Sequence, residues 1–186
     1  MNGNSLLRFV VLLAVGIGLF SGCGNDADSG SQPRPVPKGT TADLDGLTTF
    51  SNPGSVYGEL VYVPIYSSVF HQSANREYAM TSTLSIHNID LSGDLRISAV
   101  SYFDTEGGLV SEYLSDPLIV GPLSTRQFTV PEWDETGGTG ANFLVKWESS
   151  TAVTRPIIEA VMITTSGQQG ISFTTQGAVV RQLRRP

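Results

Sequence analysis

The sequence predicts an all-β chain that folds as an antiparallel, immunoglobulin-like β-sandwich of about seven or eight strands. Apolar and polar residues alternate with a period of two along much of the chain after Leu60, which is the pattern of half-buried strands. Turn-forming residues separate these stretches at spacings of about 8–12 residues, as in sandwiches. No segment has the apolar spacing of an amphipathic helix. A small β-barrel is the alternative architecture.

Each strand is predicted from its own segment. Residues 78–86 alternate, with Met80, Leu84 and Ile86 on one face and hydroxyl side chains on the other. Residues 94–103 form a second strand, and the turn cluster that follows them predicts a hairpin with residues 109–114. The remaining strands are predicted at residues 124–130, 142–148, 157–164 and 171–174.

The first 22 residues have the features of a secretory signal. Arg8 is followed by an apolar run over residues 9–20 and by two small residues. Cys23 comes next and is the only cysteine of the chain. This order resembles the lipobox of bacterial lipoproteins, in which the cysteine sulfur receives a diacylglyceryl group and the modified cysteine becomes the new N-terminus. The apolar run is shorter than the roughly 20 residues of a membrane-spanning helix.

Lipidation of Cys23 is therefore the favoured interpretation. The alternatives are an ordinary cleaved signal with an incidental cysteine and an uncleaved anchor. Lipoboxes usually carry leucine three positions before the cysteine, where this chain has Phe20. In enterobacteria an aspartate after the cysteine retains a lipoprotein at the inner membrane, whereas this chain has Gly24. We expect an exported protein, lipid-anchored to the cell membrane, and Gly24 favours the periplasmic face of an outer membrane.

Composition divides the rest of the chain into three parts. Residues 23–54 begin with the acylated cysteine and are rich in Pro, Ser, Gly and Asp, which predicts a disordered, flexible tether. Residues 55–180 form the β-sandwich domain, a size that buries enough surface to fold without a disulfide. Residues 181–186 are a basic C-terminal tail with three arginines.

Charge and cysteine content exclude several functions. The formal net charge is −6, and the basic residues are scattered apart from those of the C-terminal tail. Nucleic-acid binding requires a clustered basic surface, so no nucleic-acid partner is expected. A single cysteine cannot form an internal disulfide or a multi-thiolate metal site. The sequence predicts no cofactor and no metal ion.

Two glycine-rich loops, residues 131–143 and 165–173, are the candidate binding regions. Loops on a rigid scaffold often carry binding residues. Trp133 lies in a polar stretch, where it either packs on the edge of the sandwich or contacts a ligand. Glutamine amides can hydrogen-bond sugars or peptide backbone. The candidate binding residues for an envelope protein or glycan are Trp133, Asp134, Asn142, Gln168 and Gln169.

The sequence favours a non-catalytic module over an enzyme, and it identifies no catalytic residues. The serine-hydrolase elbow and the phosphate-binding loop are both absent. The two histidines, His71 and His87, are the only imidazoles. An envelope hydrolase that uses His71 or His87 with nearby carboxylates is the alternative function. A structural lipoprotein without a discrete site is a third.

Several segments together resemble a bacterial family catalogued as a domain of unknown function, DUF3124. The resemblance extends over residues 58–180 and implies an exported, often lipid-anchored protein. It implies no activity, so no catalytic residue is transferred from the family. The segments that carry it are residues 62–67, 83–88, 102–105, 137–143, 159–163 and 166–173.

Overall fold

The computed structural model describes residues 33–166 and 170–183. These residues form thirteen β-strands, one short α-helix and one 3-10 turn. The elements are β1 (Arg34–Pro35), α1 (Leu44–Thr48), β2 (Tyr57–Pro64), β3 (Ser68–His71), β4 (Ser73–Ala79), β5 (Thr81–His87), β6 (Leu95–Phe103), β7 (Leu109–Glu112), β8 (Leu118–Val120), β9 (Thr125–Val130), the 3-10 turn Gly138–Gly140, β10 (Asn142–Ser149), β11 (Ile157–Thr164), β12 (Ile171–Gln176) and β13 (Ala178–Gln182).

The strands form two sheets and a separate hairpin. The large sheet has the order β1-β7-β6-β10-β2-β13, and β8 also pairs with β6. The small sheet has the order β12-β11-β5-β9, and β3 pairs with β4. Every described strand pair is antiparallel. Neither sheet closes on itself, so the structure confirms the predicted sandwich and excludes the barrel.

The core lies between the two sheets because alternate residues of each sheet face inward. Phe143, Val145 and Trp147 of β10 are completely buried on the large sheet. Leu84 and Ile86 of β5 are completely buried on the small sheet and belong to the same hydrophobic cluster. Burial of this apolar area, at about 25 cal/mol per Å², is what holds the two sheets together.

The predicted strands largely coincide with the observed ones. β11 has the predicted bounds, and β6 and β10 differ from theirs by one residue each. The predicted hairpin is formed by β6 and β7, and the Asp104 carboxylate closes its turn by accepting hydrogen bonds from the amides of Glu106 and Gly108 at 3.0 and 2.7 Å.

The structure differs from the prediction at residues 78–86, which are divided between two strands. The chain leaves β4 at Ala79 and enters β5 at Thr81. Between them the Met80 amide donates to the Ser67 carbonyl at 2.8 Å. The division arises because β4 pairs with β3 in the separate hairpin, whereas β5 belongs to the small sheet. The alternation of apolar and polar residues does not reveal where the chain changes from one neighbouring strand to another.

Ordered structure extends beyond residues 55–180 at both ends. β13 extends to Gln182, and Leu183 is buried, although residues 181–186 were expected to be a tail. At the other end, residues 34–52, which we call the N-terminal strap, are docked on the large sheet although a flexible tether was expected up to residue 54. β1 pairs with β7, and the Arg34 guanidinium donates to the Leu114 carbonyl at 2.6 Å.

The strap is held by charged side chains that point outward from β10. The Lys146 ammonium donates to the Gly46 carbonyl at 2.8 Å and to the Ser51 hydroxyl at 2.6 Å. The Glu148 carboxylate accepts hydrogen bonds from the amides of Ser51 and Asn52 at 3.2 and 3.3 Å. These tertiary contacts explain why a segment of low hydrophobicity is ordered.

The expectations for the signal, Cys23, Gly24, Arg184 and Arg185 lie outside the described residues. In the part of the chain that the structure covers, no helix is long and apolar enough to cross a membrane.

Candidate functional site

Trp133 is presented at the tip of a turn that follows β9. The turn is closed by a hydrogen bond from the Asp134 amide to the Pro131 carbonyl at 2.9 Å. Asp134 in turn accepts hydrogen bonds from the amide and hydroxyl of Thr136 at 3.1 and 2.5 Å. The Trp133 side chain is 83% exposed, so it does not pack on the edge of the sandwich.

The glycines that follow give the Trp133 turn a fixed base. Thr105 donates from its amide and its hydroxyl to the Gly137 carbonyl at 3.0 and 2.9 Å. The Gly140 amide returns a hydrogen bond to the Thr105 hydroxyl at 3.0 Å. A Cβ atom at Gly137 would lie 1.9 Å from the hydroxyl oxygen of Tyr102, so only glycine fits there. The turn therefore projects from a packed support.

The support includes a buried tyrosine. The Tyr102 hydroxyl lies 2.6 Å from the Ser67 hydroxyl, and both residues are completely buried. Burial raises the pKa of Tyr102 above its usual value, while the bond to Ser67 opposes that rise. Tyr102 is therefore a neutral hydrogen-bonding group that fixes the loop.

Glu132 connects the two predicted binding loops. Its carboxylate accepts hydrogen bonds from the hydroxyls of Thr164 and Ser166, each at 3.3 Å. The Trp133 turn and the start of the β11–β12 loop thus lie at the same end of the sandwich. Gln168 and Gln169 fall outside the described residues, which include their exposed neighbours Ser166 and Gly170.

The last candidate, Asn142, lies at the beginning of β10. It is opposite Pro64 of β2 and Phe103 of β6 and is half-buried. The chain just after these strand ends contacts the glycines at the base of the Trp133 turn, because the amides of Ser67 and Thr105 donate to the carbonyls of Gly138 and Gly137 at 3.1 and 3.0 Å. The structure thus brings Trp133, Asp134 and Asn142 to one end of the domain.

The two histidines lie on different elements. The His71 ring stacks on Tyr78 in the β3–β4 hairpin, with ring centroids 3.8 Å apart. His87 lies on the outer face of the small sheet, where Nδ1 is 2.9 Å from the Thr125 hydroxyl and Nε2 is 3.6 Å from the Glu159 carboxylate. An acid, an imidazole and a hydroxyl are thus adjacent, but on a sheet surface where His87 and Glu159 are each about one-third exposed.

Sequence reasoning missed a cavity beneath the N-terminal strap, which we call the strap cavity. Its volume is about 200 Å³, and it lies between the strap and the outer face of the large sheet. Its polar lining comprises Asp43, Ser51, Ser98, Glu112 and Lys146. Lys146 was not singled out because it occupies an outward position of its strand, and the alternation predicts that such a position faces solvent.

Burial shifts the pKa values of two charged groups in the strap cavity. It lowers the pKa of Lys146, which is only 3% exposed, and the charges of Glu148 and Asp43 oppose that change. It raises the pKa of Glu112, against the hydrogen bond from Ser101. Ionisable groups with shifted pKa values in a cavity are typical of functional sites.

A second, smaller cavity of about 40 Å³ lies beside Glu59 and Trp147, both completely buried. One Glu59 oxygen accepts hydrogen bonds from Arg155 and Gln182, each at 2.6 Å. The other Glu59 oxygen and the Trp147 indole nitrogen have no hydrogen-bond partner within the described residues. The cavity is about large enough for a single water molecule and too small for a drug-sized ligand. We assign this cavity a structural role.

A metal centre requires a group of ligating side chains. Among residues 33–166 and 170–183, no three or more His, Cys, Asp or Glu side chains lie close enough together to hold a metal ion.

The fold and these surfaces define a β-sandwich domain with an exposed aromatic loop at one end and a covered polar cavity on one face. The chain belongs to the family described as "Protein of unknown function (DUF3124)", whose model matches residues 58–180. The family resemblance in the sequence is therefore confirmed over the expected residues.

No curated protein matches the chain. Among solved structures, the chain is similar to one titled "Crystal Structure of Thermotoga maritima 1070", at 11% identity and a TM-score of 0.39, over 64% of this chain and 92% of that one.

Proposed function

We propose that this protein is a lipid-anchored component of the cell envelope whose sandwich domain is a non-catalytic binding module. Its partner is an envelope protein or glycan. The binding surface, which we call the Trp133 surface, comprises Trp133, Asp134, Asn142, Gln168 and Gln169. The observation that carries the proposal is that Trp133 is 83% exposed on a turn with a packed support.

An exposed tryptophan on a rigid turn is well suited to binding. Tryptophan buries about 150–250 Å² when it is covered and has few rotatable bonds, so it gains much area for little entropy. Tryptophan is also enriched among the residues that contribute most to protein interfaces. The hydrogen bonds from Thr136 to Asp134 and from Thr105 to Gly137 reduce the ordering cost further, because they hold the turn before a partner arrives.

The lipid anchor is the part of the proposal that rests on sequence. Acylation of Cys23 would attach two acyl chains, and each buried methylene adds about 0.8 kcal/mol to membrane affinity. A Cys23→Ala variant is expected to move from the detergent-rich phase to the aqueous phase in detergent partitioning, and to lose labelling by radioactive palmitate. Persistence of both signals in this variant would contradict lipidation at Cys23.

A hydrolase is the second candidate function. It is favoured by one observation, the contacts of His87 with Thr125 at 2.9 Å and with Glu159 at 3.6 Å. This order of acid, imidazole and hydroxyl resembles the arrangement of a catalytic triad. The binding module has the stronger support because His87 lines neither of the two cavities described above, and hydrolysis requires a cleft that holds the substrate. A His87→Ala variant that abolished turnover of an envelope ester or amide would reverse this preference.

Site-specific photocrosslinking in living cells tests the binding module. The crosslinker replaces Trp133 and, in a separate strain, Gln168. Leu123 provides the matched control, because it is 70% exposed and precedes β9, whereas Trp133 follows the other end of the same strand. One defined adduct from both Trp133 and Gln168, and none from Leu123, is the expected result. Absence of an adduct at both positions in a folded, anchored protein, or the same adducts at all three, would contradict the proposal.

A further inference from the structure

We propose that the strap cavity is a second binding site, separate from the Trp133 surface, for a small zwitterion of the size of a free amino acid. The ligand would place its ammonium group near Asp43 and Glu112 and its carboxylate near Lys146. All three side chains line one cavity of about 200 Å³.

The strands of the large sheet create the space for this ligand. Lys146 of β10 lies opposite Ala99 of β6, and Glu112 of β7 lies opposite Ser101 of β6. Ala99 and Ser101 are two positions apart on one strand, so their side chains point to the same face. The small side chain of Ala99 therefore leaves a depression between two long charged side chains. The strap covers this depression with Asp43, Gly46 and Leu47.

The charged groups retain capacity to bind a ligand. An ammonium group has three N–H donors, and that of Lys146 uses two of them, on Gly46 and Ser51. The Glu112 carboxylate accepts from the Ser101 hydroxyl, and Asp43 accepts from the Gly46 amide. An ionised carboxylate has about four acceptor sites, so each acid can accept further hydrogen bonds from an ammonium group.

The balance of charge selects a zwitterion. Two acids and one ammonium group line the cavity, and the charge of Arg34 acts on Glu112 from outside the lining. The two acids would repel a small anion, and Lys146 would repel a small cation. A zwitterion can pair its ammonium group with the two acids and its carboxylate with Lys146. Such charge-assisted hydrogen bonds are stronger than those between neutral groups. The volume is below the roughly 300–1,000 Å³ of sites for drug-sized molecules. Ala42 and Leu47 add apolar lining suited to a short aliphatic side chain.

Calorimetric titration of the full chain with L-alanine tests the assignment. N-acetyl-L-alanine lacks the ammonium group and L-alaninamide lacks the carboxylate, so the two analogues test the two ends of the site. L-alanine is expected to bind, and each analogue to bind about tenfold more weakly or worse, because each loses charge-assisted hydrogen bonds. Absence of binding by L-alanine at millimolar concentration to the folded chain, or equal affinity for all three compounds, would overturn the proposal.

Two conservative variants connect the binding to the cavity. Glu112→Gln and Asp43→Asn remove one negative charge each and keep the shape of the side chain. Each is expected to weaken L-alanine binding about tenfold. Glu106→Gln is the matched control, since Glu106 is an exposed acid on the β6–β7 turn, and it should leave the affinity unchanged. Lys146 is not used because it also holds the strap. Unchanged affinity in both cavity variants would place the ligand elsewhere and refute this site.

Discussion

The outer faces of the two sheets follow the same sequence pattern but have opposite surroundings. On the small sheet, the outward Thr125 and Thr129 of β9 and Thr174 of β12 are exposed to solvent. On the large sheet, the outward Lys146 and Glu148 of β10 are almost completely buried beneath the N-terminal strap. The alternation of β9 and of β10 predicts polar outward side chains that face solvent, and the strap is what makes the two strands different.

The comparison shows that a polar residue contributes more to the free energy of unfolding when another segment of the chain covers it. An exposed threonine exchanges hydrogen bonds with water, so its substitution costs little. A buried charge must find partners in the protein, because burial without them costs several kcal/mol. On the large sheet these partners are backbone groups of the strap and the Ser51 hydroxyl, and Arg96 lies 3.9 Å from Glu148. The covered face should therefore be sensitive to substitution and the open face tolerant.

Among substitutions on the two outer faces, the largest expected effect is that of Lys146→Met. Methionine has a similar length but cannot donate to the Gly46 carbonyl and the Ser51 hydroxyl, and the buried Glu148 loses a nearby positive charge. We expect a loss of about 2–3 kcal/mol in the free energy of unfolding, since a hydrogen bond to a charged group contributes about 1.5–3 kcal/mol. Urea denaturation measures it as a lower midpoint with an unchanged slope.

The control for this variant is Thr129→Ala on the open face. Thr129 is exposed at an outward position of β9, and its change should stay within about 0.5 kcal/mol. Equal losses of unfolding free energy in Lys146→Met and Thr129→Ala would show that the strap does not make the covered face more sensitive to substitution.

The sequence predicts the sheets better than it predicts the strap, for a physical reason. The alternation in residues 157–164 reports directly on the burial of β11, and the structure has the same bounds. α1 has only five residues, and its anchor Lys146 is 100 residues away from Gly46 along the chain. No local pattern contains that contact. For the same reason the sequence indicated Trp133 as a candidate but left its exposure open. It did not indicate that Glu132 connects the loops or that Lys146 and Glu112 line a cavity.

A smaller effect is expected for Glu148→Gln. Glutamine keeps the shape but loses the charge that strengthens the hydrogen bonds from the amides of Ser51 and Asn52. We expect a loss of about 1–2 kcal/mol by urea denaturation. Glu159→Gln on the open face is the matched change, because Glu159 is about one-third exposed, and it should cost about 0.5 kcal/mol or less. A larger loss in Glu159→Gln than in Glu148→Gln would reverse the order of the two faces.

The effect of Glu112→Gln depends on pH. Burial raises the pKa of Glu112 in the folded protein, so the folded state retains its proton to a higher pH than the unfolded state does. The stability that this group contributes is present below the unfolded pKa of about 4.3 and is lost as the pH rises through the folded pKa. Glutamine stays neutral at every pH, so the variant should gain stability relative to the wild type as the pH rises from 4 to 7. Parallel stability curves for the two proteins would contradict the raised pKa.

The smallest effect on stability is expected for Trp133→Ala, at an end of the domain that the strap does not cover. Its side chain is 83% exposed, so little buried area is lost and the free energy of unfolding should change by about 0.5 kcal/mol or less. Trp147→Ala is the comparison variant. Trp147 is completely buried in the core, so its truncation should lower the free energy of unfolding by about 3–5 kcal/mol. If Trp133→Ala instead destabilises the domain by several kcal/mol, Trp133 has a packing role. An unchanged stability would agree with the proposed binding role, in which the exposed ring is buried only when a partner binds.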